Sequence, residues 1–165
     1  MAIRINTKSR QIRRSRTGTQ THKAELAKIK AEIYKPSQQQ MINIVLSILN
    51  TLRGEPPEGT PVDTGWATSN WLVSIGKPLE GTVEPYSEAI YQAGIVDIFN
   101  YDIKKDGEVF IVNNVPYIQF LNQGTSQQSP AGFVEKAIRK ALREAKKRGR
   151  VISSKYSRRK KKVKK

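Results

Sequence analysis

The chain has 165 residues, a net charge of +16, 37% hydrophobic residues and no cysteine. This length favours one domain with short arms, and the low hydrophobic content limits the core to part of the chain. The lack of cysteine excludes disulfide frameworks and cysteine-ligated metal sites. Since no apolar run approaches the ~20 residues that span a bilayer, we expect no membrane partner.

The charge lies in blocks. Residues 1–30 hold nine Lys/Arg and one acid, a net charge of +8, and residues 136–165 hold sixteen Lys/Arg and one acid, +15. Residues 31–135 carry −7. Such asymmetry is typical of arms that meet a polyanion or an acidic protein surface. The predicted organisation has three parts: a basic N-terminal arm at 1–20, one α+β domain at 21–149 and a basic C-terminal tail at 150–165, both ends resembling disordered tails.

A long N-terminal helix is predicted first. Its early apolar residues recur every three or four positions: Leu26, Ile29 and Ile33. Pro36 should end or kink this helix, and Ser37 with Gln40 forms a capping-box pattern for a second helical segment. Residues 41–52 are the most apolar part of the chain and predict a core helix, which Gly54 is placed to stop.

A small sheet is predicted in the middle of the chain. Residues 71–76 and 108–113 are rich in strand formers, and a short helix precedes the first of them after the turn at Val62. Residues 86–100 favour a helix whose inward residues are expected to be Ile90, Ala93 and Ile98. Two strands alone are marginal, so we expect a neighbouring subunit, or residues 151–156, to extend the sheet.

Two helices are predicted near the end. Asn113 or Asn114 can cap a short helix with Pro116 in its first turn, which Gly124 would end. The apolar side of this helix is expected to comprise Tyr117, Phe120 and Leu121. Ser129 and Pro130 should begin the last helix, an amphipathic one.

The last helix has a recognisable apolar stripe. The residues expected to be buried are Phe133, Val134, Ala137, Ile138, Ala141 and Leu142. Gly149 is placed to stop the helix. Of the two tryptophans, Trp66 and Trp71, we expect at least one in the core, because each buries a large area; an exposed one would anchor an interface.

The sequence offers little for catalysis. It has one histidine, His22, in polar basic surroundings, and no phosphate-binding glycine loop. Acidic side chains cluster in two turns: Glu55, Glu58 and Asp63, then Asp102, Asp106 and Glu108. Such acids could hold Mg²⁺ for a nuclease, or could simply solubilise the loops. We predict a protein that is not an enzyme and uses no cofactor or metal.

The basic ends are the stronger signal. The side chains expected to contact DNA or an acidic partner are Arg4, Arg10, Arg13, Arg14, Arg16, Arg150, Arg158, Arg159, Lys160, Lys161 and Lys162. Clusters of this kind neutralise phosphates and give salt-dependent, sequence-independent binding. Among these tails only Tyr156 is aromatic, so base stacking is not indicated. A solubilising tail is the alternative.

Two segments resemble the tail-completion, or neck, proteins of tailed bacteriophages. The first is "TPVDTGWATSNW" and the second is "VNNVPYIQFLNQGTSQQSPAGFVEKAI". The matching positions are Val62, Asp63, Thr64 and Gly65; Asn113, Asn114, Pro116, Tyr117, Leu121 and Gly124; and Gln128, Pro130, Gly132, Phe133 and Val134. The resemblance covers roughly residues 20 to 145, and the basic ends are not part of its pattern.

The resemblance implies a virion protein, made in the host bacterial cytoplasm, that joins the tail to the head-side connector. It implies a ring of about six copies around the DNA channel. Expected partners are copies of itself, the connector or adaptor ring, the tail tube or tail terminator, and packaged DNA. The expected ring interface comprises Asp63, Thr64, Gly65, Trp66, Asn113, Asn114, Pro116, Tyr117, Gly124, Gln127, Gln128, Pro130 and Gly132.

Three other functions stay open on the sequence alone. A tail terminator would also form a ring, but would cap the tail tube. A basic nucleic-acid-binding protein outside the virion would explain the charge but not the motif at 112–138. A metal-dependent nuclease would need the loop acids as ligands.

Overall fold

In this computed structural model the backbone is described for residues 18–162 and the side chains for residues 22–148. The elements in chain order are α1 (Gly18–Leu52), α2 (Trp66–Ser69), β1 (Leu72–Ile75), α3 (Ala89–Phe99), β2 (Val109–Val112), α4 (Ile118–Asn122) and α5 (Phe133–Lys162). This order confirms the predicted α+β class, with a long N-terminal helix, a small sheet and a C-terminal helix. The chain divides into two compact units, Met1–Lys35 and Pro36–Lys165.

Helix α1 runs through Pro36. The prediction that the helix could end there is therefore wrong, while the kink stays a prediction. A proline inside a helix costs about 3 kcal/mol, and the apolar segment that follows it can offset this cost. In that segment Ile42, Val45, Ile48, Leu49 and Leu52 are buried, which confirms the predicted core helix.

Strands β1 and β2 pair antiparallel, with Leu72 opposite Val112 and Ile75 opposite Val109. Residues 151–156, expected as a possible third strand, are helical. Both predicted strand positions are confirmed within one or two residues of their ends.

Helix α3 packs on β1 through Gly94. A Cβ atom at Gly94 would lie 2.4 Å from the backbone oxygen of Val73, so only glycine permits this approach. The close contact directs Gly94 and Ile98 inward. Ile98 was predicted correctly, but Ile90 and Ala93 are exposed. The prediction failed because it did not use the glycine as a packing position.

Helix α5 lies against the core through four residues one turn apart: Phe133, Ala137, Ala141 and Ala145. Val134 is partly buried, whereas Ile138 and Leu142, expected to be buried, are exposed. The helix continues past Gly149 to Lys162. The predicted end at Gly149 is therefore wrong, because a helical glycine costs only about 1 kcal/mol and its neighbours are good helix formers.

Trp71 lies in the core, which confirms the expectation for one tryptophan. Its Nε1 donates to Thr60 Oγ1 at 2.7 Å, and Thr60 Oγ1 donates to the backbone oxygen of Leu52 at 2.7 Å. This buried chain of hydrogen bonds ties the end of α1 to the start of β1. Within residues 18–162, no helix is long and apolar enough to cross a membrane.

Candidate docking surface

The two segments that carry the motifs lie against each other. The backbone N–H of Val62 donates to Gln128 Oε1 at 2.8 Å, and Gln128 Nε2 donates to the backbone oxygen of Val62 at 2.9 Å. The side-chain amide thus satisfies both backbone groups of one residue, as a neighbouring strand would. Next to it, the buried Ser129 Oγ donates to the backbone oxygen of Gly59 at 2.8 Å. We call residues 62–66 and 113–132 the motif platform.

The paired asparagines connect the motif platform to two other loops. Asn113 Nδ2 donates to the backbone oxygen of Ala67 at 2.8 Å. Asn114 Nδ2 donates to backbone oxygens of the 79–81 loop at 2.9 and 2.8 Å. Neither asparagine caps α4, whose N-cap is Tyr117 without a side-chain hydrogen bond. That prediction is wrong: α4 begins only at Ile118, and Asn113 Oδ1 accepts a hydrogen bond from the backbone N–H of Val115 at 3.1 Å, ahead of the helix.

The aromatic side chains of the two motif segments are in contact. The ring centroids of Trp66 and Tyr117 are 5.8 Å apart at an interplanar angle of 59°. Trp66 Nε1 donates to the backbone oxygen of Val83 at 2.8 Å. Tilted aromatic pairs of this kind contribute about 0.5–1.5 kcal/mol beyond their burial. Trp66, which is partly buried, therefore joins the turn to the second motif segment.

The turn itself requires glycine. Gly65 has φ +75°, and a Cβ atom there would lie 2.6 Å from the ring of Tyr86. The positive φ strains any other residue here, and a side chain would also have to displace the exposed Tyr86 ring. The two residues before it, Asp63 and Thr64, are exposed. The turn is thus held rigid from one side and presents two polar side chains on the other.

A residue that the sequence analysis missed organises the start of α5. Asn122 Oδ1 accepts a hydrogen bond from the backbone N–H of Val134 at 3.1 Å, and its Nδ2 donates to the Glu135 carboxylate at 3.1 Å. Its backbone oxygen accepts from the N–H of Gly132 at 2.7 Å. The hydrogen bond of Glu135 to its own backbone N–H, and then the Asn122 amide, lower the pKa of Glu135.

Asn122, and not Ser129, therefore caps the start of α5. The sequence predicts that this helix begins at Pro130, whereas it begins at Phe133, because the capping group comes from about twelve residues upstream. No local signal could have identified it.

The rim of the motif platform is exposed. Its exposed residues include Pro116, Gly124, Gln127 and Pro130. Phe120, expected on the apolar side of α4, is also exposed; Leu121 packs against the core as predicted, and Ile118 does so as well. The rim therefore offers amide groups, backbone groups and one large apolar side chain on a rigid support, which suits contact with another protein.

A second missed residue, Arg53, makes contacts with three other parts of the chain near the end of α1. Its Nη1 donates to the backbone oxygen of Ser69 at 3.0 Å, and its Nη2 pairs with Glu88. Its guanidinium group lies 3.8 Å from the ring centroid of Tyr91. With only 14% of this side chain exposed, it connects the end of α1 to both α2 and α3. Its position directly before Gly54 gave no hint of this role.

The basic residues predicted to contact DNA or an acidic partner lie before residue 22 or after residue 148, outside the range of described side chains. Arg4, Arg10, Arg13, Arg14 and Arg16 lie outside the described residues. The residues from Arg150 to Lys162 belong to α5, and their side chains lie outside the described ones. The described part of α5 exposes Lys136, Arg139, Arg143, Lys146, Lys147 and Arg148. A basic face therefore begins well before the predicted tail.

Two of the loop acids, Asp102 and Asp106, stabilise their own turn. Asp102 Oδ1 accepts from the backbone N–H of Lys104 at 3.0 Å, and this bond lowers the pKa of Asp102. Asp106 Oδ2 accepts from the backbone N–H of Asp102 at 2.6 Å. Within the described residues, no group of three or more His, Cys, Asp or Glu side chains is arranged to hold a metal ion.

Comparisons with protein-family models, curated proteins and solved structures give no match for the chain.

Proposed function

We propose that this chain is a structural subunit of the neck of a tailed bacteriophage. Copies of the chain, about six, form a ring around the DNA channel and join the tail to the head-side connector. The observation that carries the proposal is the packing of the two motif segments, 62–66 and 113–132, into one platform. Segments nearly fifty residues apart are held together by side chains that have no catalytic chemistry.

The arrangement favours docking over chemistry. The motif platform is fixed by hydrogen bonds from the partly buried Asn113, the exposed Gln128 and the buried Ser129. Its exposed side carries Asp63, Thr64 and Gln127. A rigid support with exposed hydrogen-bonding groups loses little conformational entropy on binding. This surface is where the ring meets its neighbouring subunit or the adjoining tail component.

The basic residues have a second role in this proposal. Positive side chains lie on the exposed face of α5, and more are present in the sequence at both ends. A closed ring repeats each of these positive segments in every subunit, so the local field is strong. The ring would therefore attract the packaged DNA or an acidic surface of an adjoining ring.

Removal of the gene from the phage tests the role in assembly. The proposal predicts heads and tails of normal length that fail to join. Overlong tails would identify the chain as the tail terminator instead. Intact, infectious particles without this chain would contradict both roles.

Binding to DNA separates the virion role from a free nucleic-acid-binding protein. The isolated monomer should bind DNA weakly, and the assembled ring more strongly, since affinity grows with the number of phosphates neutralised. Tight binding by the monomer with a steep salt dependence would support the alternative. The readout is fluorescence anisotropy across a salt series.

A further inference from the structure

One side of the N-terminal helix is apolar and exposed. The residues are Leu26, Ile29 and Ile33, which are 56%, 51% and 60% exposed. Helix geometry places them on one face, which we call the α1 stripe. Lys23 and Lys30 flank this stripe on one edge, and Glu25 and Glu32 on the other. A continuous exposed apolar stripe on a helix indicates a contact site.

The second apolar surface lies on the side of α3 that faces away from the sheet. Its large residues are Ile90, Val96 and Phe99, which are 46%, 56% and 60% exposed. We call these residues, with Ala93, the outer face of α3. Because Gly94 and Ile98 point to the core, the outer face is exposed to solvent. Residues 78–103, between Lys77 and Lys104, hold five acids and no Lys or Arg, and one of these acids, Asp97, lies on α3 itself.

Both surfaces are apolar, and the segments that contain them have opposite net charges. The α1 stripe lies at the end of the segment 1–33, which carries a net charge of +7, whereas 78–103 carries −5. Opposite fields steer two surfaces together, and apolar contact then stabilises the complex. We propose that the α1 stripe of one copy packs on the outer face of α3 of a second copy.

The geometry of this contact fits the proposed ring, on which the inference rests. The two surfaces differ, so the contact is head-to-tail. Each copy uses its α1 stripe to contact one neighbour and its outer face of α3 to contact the other. Head-to-tail contacts propagate and close into a ring where the rotation allows. The α1 helix would thus connect each subunit to the next.

A third exposed apolar site provides a matched control. Ile138 and Leu142 are exposed on α5. Their neighbours Arg139, Arg143 and Lys146 are basic, so this site should repel the basic N-terminal segment. Substitutions at Leu142 alter an exposed apolar residue without touching either proposed surface.

Cysteine cross-linking tests the contact directly, because the chain has no cysteine of its own. Leu26→Cys and Val96→Cys are made as separate proteins, mixed and oxidised. We expect a disulfide-linked dimer containing one copy of each. Leu26→Cys mixed with Leu142→Cys should give at least about tenfold less product. Equal yields in the two mixtures, or no product in the first, would overturn the inference.

Association in solution provides a second readout by sedimentation velocity. Val96→Asp and Ile29→Asp should each weaken association at least about tenfold, because a charge would be buried without a partner. Leu142→Asp should leave it unchanged. Because all three positions are exposed, the fold should survive, which circular dichroism verifies. Association of the unmodified chain should also weaken between about 0.05 and 0.5 M salt.

The two proposals fail in different ways. An unmodified chain that stays monomeric, or one that associates without a 26–96 cross-link, overturns the contact proposed here. Neither result changes the proposed place in the neck, which fails only if the chain does not contribute to the head–tail joint.

Discussion

The two halves of α1 have the same kind of apolar spacing but different surroundings. In the second half, Leu49 and Leu52 are fully buried in the core; in the first half, Leu26 and Ile29 are more than half exposed. Periodicity arises from helix geometry alone, so it predicts a helix and a face but not what covers that face. The buried half holds the domain together, and the exposed half is available for a partner.

The largest expected difference is between a Leu→Ala substitution in the buried half of α1 and one in the exposed half. Leu49→Ala should lower the free energy of unfolding by about 3 kcal/mol, because it opens a cavity in a packed core. Leu26→Ala should change it by less than about 0.5 kcal/mol. Urea unfolding of the two variants gives the comparison. Similar losses would mean that the first half of α1 is also packed within the subunit.

The same contrast applies to the two sides of α3. Gly94→Ala should destabilise the protein by about 2–3 kcal/mol, since the new methyl group would meet the backbone oxygen of Val73. Val96→Ala, on the outer face, should cost less than about 1 kcal/mol. Thermal unfolding compares them. A Gly94→Ala variant as stable as the original would show that α3 can move away from the sheet.

Gln127 and Gln128 allow the stability of the motif platform to be tested separately from its proposed docking role. Gln128→Ala removes both hydrogen bonds to Val62 and should cost about 1 kcal/mol of stability. Gln127→Ala should leave stability within about 0.5 kcal/mol but reduce the joining of heads to tails in a complementation assay. If Gln127→Ala assembled normally and Gln128→Ala did not lower stability, the platform would be neither supported nor used as described.

The smallest expected effect is a pH dependence at an exposed pair. The hydrogen bond and charge of Lys140 lower the pKa of Glu58 below its ordinary value of 4.5. A lowered pKa stabilises the folded state above the unfolded value, and this contribution is lost as the pH falls below 4.5 through the folded value. Glu58→Gln should therefore lose less stability than the original chain between neutral and acidic pH. Equal slopes in urea titrations would contradict this.

Much of the fold could be predicted from the sequence. The apolar run at 41–52, the two strands and the turn at Gly65 carry local signals of spacing, β formers and glycine. The errors have a common cause, since they depend on distant contacts. Gly94 sets the phase of α3 by touching Val73, and Asn122 rather than Ser129 organises the start of α5. The amino-acid composition predicts neither the Gly94–Val73 contact nor the capping role of Asn122.

The ring interface named from the sequence stays a prediction. The structure shows that the two motif segments pack against each other, because Gln128 reaches Val62 and Tyr117 contacts Trp66. The roles of individual residues differ from those expected, since the asparagines bridge loops instead of capping a helix. Arg53 was missed because its partners Ser69, Glu88 and Tyr91 are distant in sequence. A single sequence does not show which polar side chains make such long-range contacts.

Electron cryomicroscopy of the purified phage particle tests the central claim most directly. The account predicts density for this chain as a closed ring between the connector and the tail tube, with the α1 helix of each copy lying on α3 of the next. A particle whose head–tail joint contains no copy of this chain would contradict it.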